Sequence, residues 1–76
     1  MKIEVYSSKL CMYCEAAKRL LKHKGLPFKE VDVTNNRKLR DEITRKTKHR
    51  TVPQIFIDDQ FIGGYTELVS LFKKAH

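Results

Sequence analysis

The two cysteines of this 76-residue chain, Cys11 and Cys14, are the residues most suited to chemistry. They lie in the order C-M-Y-C, and the apolar periodicity of residues 12–24 predicts a helix that begins at the first cysteine. Unpaired N–H groups and the helix dipole favour negative charge there, and the thiolate is the reactive form of cysteine. Residues three apart on a helix are neighbours, so Cys14 can reach Cys11 and close a disulfide. The spacing alone indicates either a thiol–disulfide redox site or a metal site.

Length and composition narrow the class of protein. A chain of 76 residues predicts one domain, residues 1–76. Two cysteines three apart close a loop too small to stabilise a fold, so the pair indicates chemistry rather than a structural staple. No apolar run is typical of a signal peptide or of a membrane span, and we expect a cytoplasmic protein without membrane contact. The histidines, His23, His49 and His76, show no paired spacing, so we expect surface residues and no metal.

The positive charge of the chain is concentrated in one stretch. The net charge of +7 results from 16 basic and 9 acidic residues, and seven of the basic ones lie close together: Arg37, Lys38, Arg40, Arg45, Lys46, Lys48 and Arg50. Such a stretch is typical of a solvated helix face, of a rim that attracts small anions or acidic partners, or of nucleic-acid contact. It lacks the interleaved aromatic residues on which bases stack, so we expect no nucleic-acid partner.

The element order is predicted to be β-α-β-α-β-β-α. Strands are expected at residues 2–6, 28–33 and 54–57, with a short returning strand from residue 61. Helices are expected at 12–24, where Gly25 ends the first, at 37–48, and after a cap at Thr66. The first strand–helix–strand unit predicts parallel strands, and the last two strands an antiparallel hairpin. The result is one mixed four-stranded sheet flanked by three helices, the last with these apolar residues: Leu68, Val69, Leu71, Phe72 and Ala75.

Three segments together resemble one family. They are residues 11–14 (C-M-Y-C), residues 51–57 (T-V-P-Q-I-F-I) and residues 62–68 (I-G-G-Y-T-E-L). In order and spacing the chain resembles the glutaredoxins, small oxidoreductases with the thioredoxin fold that use glutathione. The resemblance implies that Cys11 is the nucleophile and that Cys14 is the resolving thiol. It implies glutathione as the reductant, a monomer, and as substrates disulfide-containing or glutathionylated proteins such as ribonucleotide reductase.

The resemblance also implies a glutathione site. Pro53 is expected to be cis, so that the Val52 backbone binds the glutathione cysteine as an added strand. Gly64, Tyr65 and Thr66 are expected to hold the γ-glutamyl carboxylate at a helix N-terminus. The full expected set of glutathione-binding residues is Lys9, Tyr13, Arg40, Arg50, Thr51, Val52, Pro53, Gly64, Tyr65 and Thr66.

The chain departs from the family pattern at three positions. Met12 stands where many members have proline, and we expect an altered redox balance. Ser8 stands at the usual groove lysine, with Lys9 one position later, and Thr66 replaces the commoner aspartate. Two alternatives remain open at this point. One is a redoxin reduced by thioredoxin reductase, and the other is a [2Fe-2S] cluster module with Cys11 and glutathione as ligands.

Overall fold

A computed structural model describes residues 1–74, so the predictions for Ala75 and His76 lie outside the described residues. The seven elements follow the predicted order: β1 (Ile3–Ser7), α1 (Met12–His23), β2 (Lys29–Asp32), α2 (Arg37–Thr47), β3 (Gln54–Ile57), β4 (Gln60–Gly63) and α3 (Tyr65–Lys74). Within residues 1–74, no helix is both long enough and apolar enough to cross a membrane.

The four strands form one mixed sheet in the order β2-β1-β3-β4. β1 pairs in parallel with β2, and Val5 lies opposite Glu30; β1 pairs antiparallel with β3, and there Val5 lies opposite Ile55. β3 and β4 form the antiparallel hairpin. The predicted parallel crossover and the predicted hairpin are both confirmed. β2 is shorter than predicted, because Phe28 and Val33 lie just outside it.

The core lies between the sheet and helices α1 and α3. It is a cluster of side chains with at most 3% exposure: Ile3, Val5, Ala17, Leu21, Ile55 and Leu68. The alternation of β1 and the helical spacing of α1 both place their apolar residues on this side. Because β1 is central in the sheet and α1 packs on the core, the loop between them is fixed at both ends. That loop carries Cys11.

Helix α1 begins where the sequence predicts and ends one residue earlier, before the predicted stop at Gly25. Cys11 is its N-cap, with an extended backbone (φ −112°, ψ 109°), and the Cys11 carbonyl accepts the Glu15 N–H at 3.1 Å. The helix ends at His23, and Gly25 follows in the left-handed region with φ +69°. Glycine is common there because it has no Cβ to clash. The nucleophile candidate is therefore held at a helix N-terminus by local sequence.

Helix α2 has a favourable N-cap, Asn36, and a C-cap, Lys48, whose backbone conformation is unfavourable for a residue with a side chain. The Asn36 side chain accepts the Leu39 N–H at 3.1 Å, as expected from the capping residues before the helix. The helix ends at Thr47, one residue earlier than predicted, because Lys48 adopts the left-handed conformation with φ +63°. A residue with a Cβ pays about 1–2 kcal/mol in this region.

We therefore expect Lys48→Gly to raise the free energy of unfolding by about 0.5–1 kcal/mol, part of the relief being offset by glycine's greater freedom in the unfolded chain. The matched control is Arg45→Gly, which removes the same charge from a regular position of the same helix and should lower stability by about 1 kcal/mol. Urea denaturation of both variants checks this. Equal losses in the two would show that Lys48 is not strained.

Helix α3 begins two residues earlier than predicted. The Leu68 N–H donates to the Gly64 carbonyl at 3.1 Å, so Gly64 is the cap and Thr66 lies inside the first turn. The predicted N-cap role of Thr66 is therefore wrong. The Glu67 carboxylate reaches back to accept the Gly64 N–H at 2.7 Å, the second half of a capping box. Leu71, predicted on the apolar face, is 37% exposed.

Candidate active site

The two thiols occupy different environments. Cys11 is partly exposed, whereas Cys14 is completely buried in the first turn of α1. The Cys11 sulfur accepts the Cys14 backbone N–H at 3.2 Å and lies 3.7 Å from the Val52 carbonyl, to which its thiol can donate. Cys11 is therefore the accessible thiol of the pair, and Cys14 lies next to it.

Burial raises the pKa of the Cys14 thiol to about 12. A hydrogen bond with the Cys11 side chain and the charge of Cys11 act in the same direction, while a backbone hydrogen bond at Ser8 and the charge of Lys18 oppose it. Removing water from around a thiolate disfavours the charged form, which is why burial is the largest cause. Cys14 is thus held as a neutral thiol at physiological pH.

This raised pKa predicts an alkaline dependence of stability. Cys14 is protonated in both folded and unfolded chains below about pH 8.5, and above that only the unfolded chain releases the proton readily. The free energy of unfolding of the wild type is therefore expected to fall as pH rises from 9 toward 12. The slope contributed by Cys14 approaches about 1.4 kcal/mol per pH unit. Cys14→Ala should lack it, and parallel curves from pH 8 to 11 for the two proteins would contradict the assignment.

Beside Cys11 lies an open groove of about 200 Å³. The first wall is formed by the chain before β3 and the second by the start of α3, and Tyr13 of α1 lies beside them. The lining residues are Tyr13, then His49, Thr51, Val52 and Pro53 of the first wall, and Gly64, Tyr65, Thr66 and Glu67 of the second. The Val52–Pro53 bond is cis, as expected. The rings of Tyr13 and Tyr65 lie 6.0 Å apart between their centroids.

The first wall is held by a buried amide. Gln54 is 1% exposed, and its Nε2 donates to the carbonyls of His49 and Thr51, the latter at 3.2 Å. Its Oε1 accepts the Thr47 hydroxyl at 3.0 Å. One side chain therefore ties the end of α2 to the loop that carries Val52 and the cis proline. Because buried amides are costly unless paired, these bonds fix the loop in one position.

The second wall depends on two glycines. Gly63 has φ +134°, and a Cβ there would lie 2.5 Å from the Glu67 side chain. At Gly64 a Cβ would lie 3.3 Å from the Pro53 carbonyl. The two walls of the groove therefore approach each other at Pro53 and Gly64, where there is little space for a larger residue.

The structure brings together most of the site residues that the sequence predicts. Seven of the ten expected glutathione-binding residues line the groove: Tyr13, Thr51, Val52, Pro53, Gly64, Tyr65 and Thr66. Three do not. Lys9 is exposed and its backbone N–H donates to the Thr34 hydroxyl, Arg40 is half-buried in α2, and Arg50 is exposed.

Sequence reasoning missed three residues of this site. His49 was interpreted as a surface residue, yet it lines the groove, and its Nε2 lies 3.0 Å from the Thr51 hydroxyl. Glu67 caps α3 and lines the groove, and Gln54 holds the loop that forms the first wall of the groove. His49 and Gln54 lie on either side of the T-V-P segment. That proximity is the sequence feature that could have indicated a place in the site.

The surface beside Cys11 carries two exposed apolar side chains. Leu10 is fully exposed, with a left-handed backbone at φ +57°, and Met12 is 81% exposed.

Among residues 1–74 the ion pairs involve Lys2 and Lys18, and none involves the basic stretch from 37 to 50. In the same range, no group of three or more acidic, histidine or cysteine side chains is arranged to hold a metal ion.

With two adjacent thiols at a helix start and a cis proline across from them, the fold is that of the thioredoxin-fold thiol–disulfide oxidoreductases. Residues 3–62 match the family model described as Glutaredoxin. Glutaredoxin 3 of Escherichia coli (strain K12) is 44% identical over 69 residues, covering 91% of this chain and 83% of that protein. The chain therefore belongs to the glutaredoxin family.

Solved structures agree with this assignment. Glutaredoxin 1 from Francisella tularensis, complexed with cacodylate, gives a TM-score of 0.84 at 36% identity and covers 96% of this chain and 93% of that chain. A buckwheat glutaredoxin–glutathione complex gives a TM-score of 0.90 at 24% identity, covering 95% and 68% of the two chains. At 24% identity, the buckwheat structure shows a shared fold with this chain and no more.

Proposed function

We propose that this glutaredoxin is a glutathione-dependent thiol–disulfide oxidoreductase, with Cys11 as nucleophile and Cys14 as resolving thiol. The observation that carries the proposal is the asymmetry of the pair. Cys11 is accessible at a helix N-cap and its sulfur accepts a backbone N–H, whereas Cys14 is buried and held as a neutral thiol. The sulfur at the first position is therefore the one that a substrate disulfide can reach, and the second thiol lies next to it in the same turn.

The first reaction is the removal of glutathione from a protein. The Cys11 thiolate attacks the glutathione sulfur of a mixed disulfide, forming a Cys11–glutathione disulfide and releasing the protein thiolate, which takes a proton from water. The thiolate of a second glutathione then attacks the bound glutathione sulfur. Oxidised glutathione leaves and the Cys11 thiolate is restored. Cys14 takes no part in this sequence.

The second reaction is the reduction of a protein disulfide. Cys11 attacks one sulfur of that disulfide, and Cys14 then attacks Cys11, releasing the reduced protein and leaving a Cys11–Cys14 disulfide. Two glutathione molecules reduce that disulfide in turn. Once Cys11 is in a mixed disulfide, its charge no longer raises the pKa of Cys14, so the resolving thiol loses its proton more readily at that stage.

The groove suits an extended peptide with negative ends. The backbone at Val52, beside the cis proline, can pair with the cysteine of glutathione as an added strand. The first N–H groups of α3, at Tyr65 and Thr66, lack intrahelical acceptors and suit the γ-glutamyl carboxylate. The buckwheat relative of the same fold is described as a complex with glutathione, which supports this use of the groove.

The substrates proposed are disulfide-containing and glutathionylated proteins, such as ribonucleotide reductase, acted on by a monomer in the cytoplasm. The exposed apolar side chains of Leu10 and Met12 flank the nucleophile and suit contact with a protein surface. None of the three basic residues Lys9, Arg40 and Arg50 lines the groove. Their proposed role is to attract the negatively charged glutathione from a distance.

The test is a coupled assay with a glutathionylated peptide, glutathione, glutathione reductase and NADPH, run beside one with thioredoxin reductase and no glutathione. We expect NADPH oxidation to depend on the protein only in the glutathione arm. Turnover only in the thioredoxin reductase arm would contradict the proposal. An absorbance spectrum of the freshly purified protein with glutathione separates a cluster carrier, which absorbs in the visible range, from a redox enzyme without a chromophore.

A further inference from the structure

We propose that a second groove, between helices α1 and α3, is a docking site for an amphipathic helix of a substrate protein, one with carboxylates along the edges of its apolar face. This α1–α3 groove is formed chiefly by Arg19, Leu20, Lys24, Tyr65, Val69 and Phe72. That the partner is a redox substrate rests on the proposed function, whereas the capacity of the groove to bind such a helix does not.

Each helix contributes one stripe of side chains to the α1–α3 groove. On α1 and its C-cap, Leu20 is followed by Lys24 at i+4. On α3, Tyr65 is followed by Val69 at i+4 and Phe72 at i+7, and such spacings place side chains on one face of a helix. Leu20, Tyr65 and Phe72 pack partly against the core, and like Val69 they are only half-buried. The groove therefore has an apolar floor that faces solvent.

The shape of the α1–α3 groove suits a helix better than a small molecule or a strand. It consists of two adjoining open hollows, of about 280 and 250 Å³, which share Leu20 and Tyr65. A small-molecule site encloses most of its ligand, and these hollows do not. An added strand needs free backbone groups, which a helix wall lacks. A third helix can instead pack a ridge of side chains into the groove, and the stripe from Tyr65 to Lys73 covers about 12 Å of helix, two to three turns.

The rim of the α1–α3 groove is basic. Arg19, Lys24 and Lys73 are exposed, and none of them takes part in the ion pairs formed within residues 1–74. The Lys24 ammonium lies 5.4 Å from the centroid of the Phe72 ring, which holds one charge at the edge of the floor. No carboxylate lines the groove in the same part of the chain. An apolar floor with a positive rim is complementary to an apolar helix face with acidic edges.

Tyr65 joins the α1–α3 groove to the active site. The same side chain lines the groove beside Cys11, where its ring lies 6.0 Å from the Tyr13 ring between centroids. A protein whose sulfur is at Cys11 can therefore extend across Tyr65 into the second groove. This continuity is the reason for assigning the docked helix to a substrate.

The first experiment maps binding by NMR on the isotope-labelled full chain. The probe is a synthetic helix of about 15 residues made of Leu, Ala and Glu, with Leu on one face and Glu at its edges. Its two controls are an isomer with the leucines scattered and a version with Lys in place of Glu. The proteins are the wild type, the double variant Arg19→Glu/Lys24→Glu, and the control Lys22→Glu/Lys29→Glu, which makes the same charge change at exposed positions off the groove. Thermal unfolding of each protein is recorded alongside.

We expect the acidic helix to shift the amide signals of Leu20 and Val69 in the wild type and in the control protein, with dissociation constants within about twofold of each other. Binding to Arg19→Glu/Lys24→Glu should be weaker by about tenfold. Equal weakening in both double variants would show a response to net charge alone and overturn the proposal. Shifts confined to Thr51 and Gly64, or equal shifts with the scattered isomer or the Lys version, would overturn it as well.

The second experiment tests whether the docked helix belongs to a substrate. The acidic helix is joined through a flexible linker to a glutathionylated peptide, and the coupled assay compares it with the scattered isomer joined in the same way. We expect the acidic helix to lower the KM about tenfold for the wild type and for Lys22→Glu/Lys29→Glu, but not for Arg19→Glu/Lys24→Glu. Equal KM values in the wild type would contradict docking by a substrate. Failure to turn over either peptide, with no shifts from S-methylglutathione at Thr51 and Gly64, would instead contradict the proposed function, and the signals of Leu20 and Val69 would still decide whether the helix binds.

Discussion

Replacing Cys11 by serine is expected to abolish both reactions, with a fall in kcat/KM on the order of a thousandfold or more. The hydroxyl of serine has nearly the same shape, but it is not ionised near neutral pH and cannot form the mixed disulfide. The Cys14 N–H still finds an acceptor at this position, so the fold should survive the change. Circular dichroism and the coupled assay measure the two properties separately.

Cys14→Ser is the matched variant, one turn further along the same helix. We expect it to keep removal of glutathione from a peptide within about threefold, since Cys14 takes no part in that sequence. Reduction of a protein disulfide should fall to the uncatalysed rate, because no internal thiol can release the trapped protein. A Cys14→Ser variant inactive on glutathionylated peptide, with an active Cys11→Ser variant, would reverse the two roles.

Gln54→Glu is expected to lower the free energy of unfolding by about 3–5 kcal/mol at pH 7.5. The change keeps the shape but replaces the Nε2 donor with a carboxylate oxygen, which would face the carbonyls of His49 and Thr51 at a position 1% exposed. Two acceptors then meet a buried negative charge with no donor between them. Loss of this tie should also loosen the loop that holds Val52 and raise the KM for glutathione.

The effect of Gln54→Glu has a definite pH dependence. Burial raises the pKa of such a glutamate in the folded chain above its unfolded value of about 4.3. The protonated form is therefore favoured on folding, and the destabilisation should grow as pH rises above about 4.3. The control Gln60→Glu makes the same change at an exposed position and should alter stability by less than about 0.5 kcal/mol. Equal, pH-independent losses would contradict the role of Gln54.

Local patterns predicted the frame of the molecule. The alternation of β1, the spacing of α1 and the stop at Gly25 each depend on neighbours in sequence, and each is confirmed. The cis bond before Pro53 was expected from family resemblance and not from any local pattern. The cap of α3 was misassigned to Thr66, because Gly64 and Thr66 are both acceptable caps by type and the hydrogen bonds of the first turn decide between them.

The chemistry of the groove was harder to predict, because it depends on contacts between distant elements. Gln54 lies in a segment that has the pattern of an ordinary strand start. Its role depends on hydrogen bonds to Thr47 and His49, which the sequence pattern does not indicate. Lys9, Arg40 and Arg50 were expected to contact glutathione, but none of them lines the groove. Long, flexible basic side chains can extend into solvent, so the sequence does not determine where their charged ends lie. His49 carries no motif of its own.

The most direct test is to trap the first intermediate. The Cys14→Ser variant, mixed with a glutathionylated peptide and quenched with acid, is digested and examined by mass spectrometry. We expect glutathione on the fragment that contains Cys11, formed in step with release of the free peptide thiol and removed by added glutathione. Release of the peptide thiol with no adduct at Cys11, or an adduct that carries the peptide instead of glutathione, would contradict attack by Cys11 on the glutathione sulfur.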